Sequence, residues 1–131
     1  MVKYKYISSQ VKLRKPYKLS ELIGLIVGNY EKDTMVCFFQ DIGCNLYTEN
    51  YINVFDKDLI CYIEECQLIT DDDEEIFPQF VIDNNLKFFY SINNFEDVIF
   101  SALGYNKNLD IKDFIMCLEY YTRNDNFLEF N

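Results

Sequence analysis

Two amphipathic stretches near the end of the chain set the strongest limit on its fold. In NNFEDVIFSAL, Phe95, Val98, Ile99, Ala102 and Leu103 recur at the spacing that gathers one apolar stripe on a helix. Asn93 with Glu96 three residues on has the form of a capping box, and Gly104 marks the end of that helix. Asp110 is placed to cap IKDFIMCLEYYTR, where Ile111, Phe114, Ile115, Leu118 and Tyr121 form a second stripe. Two such stripes need an apolar surface to bury against, and the earlier part of the chain must supply it.

It does so with strand-like segments. VKYKYISSQVKL alternates, with Val2, Tyr4 and Tyr6 opposed to Lys3 and Lys5, and predicts a strand interrupted at Ser8–Ser9 and stopped by Pro16. TMVCFFQ (34–40), DLICYIEE (58–65) and LKFFYSI (86–92) read as further strands, while 45–55 is ambiguous, with NVF its most extended piece. Ser20 is a candidate cap for a helix over SELIGLIVGNY that ends at Gly28 or Asn29, and Pro78 suits the first turn of a short helix, PQFVIDNN. Strands and helices mix without a regular βαβ repeat. The expected fold is therefore α+β: a single domain over residues 1–131, with a mixed, mainly antiparallel sheet and three to four helices.

Several classes of chemistry have no support. The chain has five cysteines, irregularly spaced and without a CxxC, and no histidine, so the usual zinc patterns are excluded. The same lack of histidine removes the ordinary base for a Ser or Cys nucleophile. Neither GxGxxG nor GxxxxGK[ST] occurs among the four glycines. VCFF, LICYI and IMCLE place cysteines in apolar settings, where reduced thiols serve as small hydrophobes. No apolar run reaches membrane-spanning length, and MVKYKYISSQVKLRK lacks the apolar core of a signal peptide. A cytoplasmic protein without catalytic residues, cofactor, metal or membrane contact is expected.

Charge is the more informative property. The net charge is −10, but residues 1–32 carry a balance of +5 and residues 33–131 one of −15. An acidic body repels nucleic-acid phosphates and favours a cationic protein partner. ITDDDEEIFP, residues 69–78, concentrates that charge in Asp71, Asp72, Asp73, Glu74 and Glu75. Consecutive acids do not supply the alternating ligands, glycine and distal glutamate of a calcium loop. Two readings of the run stay open: a solvated charged loop, or a surface that meets a basic partner. On the second reading Phe77 is a nearby anchor candidate, with Tyr62 and Phe80 beside it. Asp56, Asp58, Glu64 and Glu65 flank or occupy the neighbouring strand. Tyr120 and Tyr121 are adjacent on a helix and cannot both face the core, which leaves one, Tyr120 among the candidates, for a partner.

From residue 66 onward, the acids followed by proline, Leu86-x-Phe88-Phe89, the Asn93–Ala102 helix and the Tyr120–Tyr121…Asn124–Asp125 ending resemble small acidic immunity proteins of bacterial polymorphic toxin systems, of the contact-dependent growth inhibition type. The resemblance implies a cytoplasmic antitoxin that neutralises a cognate toxin domain, in many cases a nuclease, by covering its cationic substrate-binding surface. Rival readings are an acidic nucleic-acid mimic, whose carboxylates would be spread at phosphate-like separations, a non-enzymatic adaptor or structural subunit, and an enzyme with a carboxylate site in a concave pocket.

Overall fold

A computed structural model of the chain describes residues 11–31, 43–50, 54–106 and 108–128. In chain order the elements are β1 (Pro16–Lys18), α1 (Leu19–Glu31), β2 (Cys44–Thr48), β3 (Ile60–Glu65), β4 (Leu68–Ile69), β5 (Glu75–Ile76), α2 (Gln79–Asp83), β6 (Lys87–Ser91), α3 (Ile92–Tyr105) and α4 (Ile111–Asn124). Four strands form one antiparallel sheet in the order β1–β3–β2–β6, and β4 and β5 form a separate two-stranded hairpin. The domain is α+β, as the mixed pattern of elements predicts.

The sheet is covered on both faces, and β2 shows why. All five of its residues are buried, the mark of a strand with no solvent side. Cys44 and Leu46 join a large apolar cluster with Leu22, Ile23 and Ile26 of α1, Phe95, Val98 and Ile99 of α3, and Phe114 and Leu118 of α4. Tyr47, one residue out of phase, joins a smaller cluster on the other face with Val81 and Leu86, against which Tyr62, Phe77 and Phe80 pack. Removing Val81 and Leu86 from water contributes about 1.5–3 kcal/mol each. The register keeps the two sets apart, because Leu46 lies opposite Ile63 and Tyr90 while Tyr47 lies opposite Tyr62 and Phe88. A bulge at Phe89 preserves this alternation across β6, where the pairing shifts between Leu46 and Tyr47.

Local chemistry sets the helix ends, and here several expectations are revised. Asp110 caps α4 in a full capping box: its carboxylate accepts from Asp113 N, and the Asp113 carboxylate accepts from Asp110 N, both at 3.1 Å. The box expected at Asn93 and Glu96 does not form. Ser91 is the cap, accepting from Asn94 N at 3.4 Å, and Glu96 is buried within the helix, which runs past Gly104 to Tyr105. Ser20 likewise lies inside α1, which starts at Leu19 where Glu21 accepts from Lys18 N at 2.8 Å, and the helix passes Gly28 to reach Glu31.

Pro16 begins a strand instead of stopping one. It pairs opposite Tyr62 at the outer position of the sheet order, where the missing N–H of a proline is tolerated. Residues 11–15 carry no strand. The extended piece of the ambiguous region is CNLYT, not NVF: Val54 and Phe55 belong to no strand. Residues 2–10 and TMVCFFQ, also expected as strands, lie outside the described residues, as does Asn53.

Candidate functional site

The five acids form the end of a hairpin. Leu68 pairs with Ile76 and Ile69 with Glu75, so β4 and β5 are two residues each. Thr70 N donates to Glu74 O at 2.9 Å, Asp73 N donates to Thr70 O at 3.0 Å, and Asp73 takes a φ of 63°. This is a three-residue hairpin loop of Asp71, Asp72 and Asp73, closed by a residue in the left-handed region. Aspartate tolerates that region better than most non-glycine residues. Thr70 Oγ1 also accepts from Glu74 N at 3.1 Å. Part of the acid run therefore has a conformational reason: it is turn chemistry.

The hairpin is fixed to the sheet at its base. Cys66 N donates to Gly43 O at 3.1 Å, and the Tyr47 hydroxyl donates to Glu65 O at 3.1 Å. Asn45 Nδ2 donates to Gln67 Oε1 at 3.3 Å. The buried Tyr47 thus ties the smaller core to the point where the hairpin leaves β3.

Exposed apolar residues accompany the acids. Leu68 is 69% exposed, Ile69 60% and Ile76 50%. Leu68 and Ile76, being directly paired, share one face of the hairpin. That face opens on a groove of about 310 Å³ lined by Glu65, Cys66, Leu68, Ile76, Phe77 and Pro78. The sequence does not single out these three apolar residues, because the acids between them carry the stronger signal. The available signal was LI and I on either side of a turn-forming acid run.

The other candidate residues distribute unevenly. Asp71, Asp72, Asp73, Glu74 and Glu75 are all exposed, together on the hairpin, and Glu65 is exposed at its base. Phe77 is half-buried, its ring edge-to-face with Tyr47 at 6.5 Å, so it forms a wall of the groove and part of the smaller core at once. Tyr62 and Phe80 pack on each other at 5.7 Å in that same core. Asp56 and Asp58 are exposed in the turn before β3, where Asp56 Oδ1 accepts from Asp58 N at 2.8 Å. They do not line the groove. Tyr120 and Tyr121 are both half-buried, so neither is the freely exposed ring expected; Tyr121 packs on Tyr90 and Phe127.

Glu64 is a correction to the candidate surface. Its side chain is 0% exposed, held by Arg14 Nε at 2.6 Å and by Glu65 N at 2.7 Å. Residue 64 shares the sheet face of Tyr62, and the loop before β1 brings Arg14 over it, with Arg14 N donating to Ile63 O at 3.0 Å. A carboxylate so enclosed is structural and is not presented to a partner.

A second concavity, of about 580 Å³, lies between the 55–57 turn and α4. Its acids are already engaged or open to solvent: Asp110 caps the helix, Glu119 Oε2 accepts from Phe55 N at 2.8 Å, and Asp56 is exposed. The buried acids Glu64 and Glu96 line neither concavity. Among the described residues no group of three His, Cys, Asp or Glu side chains is placed to hold a metal ion. Burial pushes the Cys61 thiol up to about 12 and those of Cys44 and Cys117 up to about 11. Thiols that hold their protons so firmly are poor nucleophiles. Cys66 is the exposed one of the four described cysteines, and Cys37 lies outside the described residues. Among the described residues no helix is long and apolar enough to cross a membrane.

The fold and the hairpin define a small α+β domain with an acidic, apolar-based projection. The family that matches residues 35–130 is described as Domain of unknown function (DUF7716), and the chain belongs to it. That span takes in the whole hairpin and every described element from β2 to α4. Neither the curated proteins nor the solved structures contain a match.

Proposed function

We propose that the chain is a cytoplasmic immunity protein, without catalytic activity, that binds and neutralises a cognate bacterial toxin domain by covering its basic substrate-binding surface. The observation that carries this reading is the hairpin: five exposed acids raised on a stem with exposed Leu68, Ile69 and Ile76. Long-range attraction by the acids accelerates encounter with a cationic surface, and adjacent apolar groups supply contacts that hold once water is removed. Nuclease domains are cationic where they grip phosphate, so they are the toxin class this surface fits best. The sequence resemblance from residue 66 onward to contact-dependent growth inhibition immunity proteins points the same way.

Concentration of the acids at one hairpin favours a protein surface over duplex mimicry, which needs carboxylates spaced like phosphates along a face. The test is co-expression with the toxin domain encoded beside this chain. Restored growth and a co-purifying complex are expected. Normal killing in the presence of the folded chain rules the reading out.

A further inference from the structure

We propose that the groove between the hairpin stem and the Phe77–Pro78 corner seats one bulky apolar side chain presented by a cationic protein partner. This rests on the binding role above, but it assigns the affinity to different residues from the acids. Leu68 and Ile76 leave the hairpin on the same face, exposed, with Phe77 and Pro78 lining the groove beside them. At about 310 Å³ the groove sits at the lower end of ligand-pocket sizes, ~300–1,000 Å³. It suits one large side chain better than a cofactor.

Charge decides what carries that side chain. Glu65 lines the groove, and the acids of the hairpin stand beyond it, so the occupant is flanked by Lys or Arg. A second copy of this chain is disfavoured, because face-to-face hairpins would bring two acidic tips together in molecules of net charge −10. Phe77 is held by the ring of Tyr47, so this wall of the groove is preorganised, which limits the ordering cost of binding. The groove sets dissociation and the acids set association.

Two short synthetic peptides of equal positive charge test this, one with a central Trp-Leu pair between Lys and Arg residues and the other with Ser-Ser in its place. Each is titrated into the isotopically labelled full chain and followed by amide chemical shifts. The apolar peptide is expected to bind about tenfold more tightly, a difference of roughly 1.4 kcal/mol, and to shift Leu68, Ile76 and Phe77. Leu68→Ser with Ile76→Ser should erase that preference and leave the Ser-Ser peptide unaffected. Equal binding of the two peptides, or shifts confined to residues 71–74, overturns the proposal. The comparison on the unaltered chain decides even if the double variant misfolds. Growth rescue without peptide preference discards the groove and keeps the immunity role; preference without rescue does the reverse.

Discussion

Arg14 and Glu64, fifty positions apart, meet with Nε and Oε1 at 2.6 Å, the glutamate side chain fully buried and the arginine side chain more than half exposed. The pair fastens the segment before β1 to β3. Removing the cation leaves a buried carboxylate with one backbone donor, whereas removing the negative charge leaves a neutral amide. Arg14→Met is therefore expected to lower the melting temperature more than Glu64→Gln, and the double variant to be no worse than Arg14→Met alone. Thermal denaturation of the three variants checks the order, and additive losses would contradict it.

Cap chemistry offers a simpler expectation. Asp110→Ala removes the acceptor for Asp113 N and half of the reciprocal box. A loss of about 1 kcal/mol is expected. Chemical denaturation should show it as a lower midpoint at unchanged slope.

The left-handed conformation of Asp73 (φ 63°) makes that position selective by backbone alone. Asp73→Gly is expected to be neutral or slightly stabilising. Asp73→Val should cost about 1–2 kcal/mol, because a β-branched side chain is strained there. Equal melting temperatures for the two variants would remove the left-handed turn from consideration.

The buried thiols predict an alkaline limit. In the folded chain Cys61 ionises at about 12 and Cys44 and Cys117 at about 11, all above the ordinary thiol value of 9.0. The folded state thus holds these protons more tightly than the unfolded state. Their contribution to stability is complete below about pH 9 and declines as pH rises from there toward 12. Denaturation midpoints measured across that window should fall. In a Cys37→Ser background, a thiol reagent at neutral pH should label Cys66 first and reach the other three only on unfolding.

Neutralising the tip gives the kinetic counterpart. If the chain binds a cationic partner as proposed, Asp71→Asn, Asp72→Asn, Asp73→Asn, Glu74→Gln and Glu75→Gln together should slow association with that partner by about tenfold or more at low salt and flatten its salt dependence. Dissociation should change little. Stopped-flow rates across ionic strengths measure both arms, and an unchanged association rate contradicts the steering role.

What could be read ahead of the structure was local. Asp110, the strand over 60–65 and the extended LKFFYSI segment carry their signals within a few residues. The failures were questions of distance. CNLYT hides a central strand because Asn45 and Thr48 look solvent-facing until both neighbouring strands and the covering layers are in place. Glu96 mimics the third residue of a capping box, yet the apolar stripe draws it inward and Ser91 takes the cap. Glu64 resembles its exposed neighbour Glu65, and only Arg14, remote in sequence, makes its burial tolerable. The hairpin was masked by its own turn, since strands of two residues show no periodicity.

The side chains of Asp71, Asp72, Asp73, Glu74 and Glu75 belong to neither apolar cluster. Their replacement therefore leaves the packing of the domain untouched, apart from the backbone demand at Asp73. Such a tip can drift in sequence, lengthen or change sign while the frame beneath it stays constant.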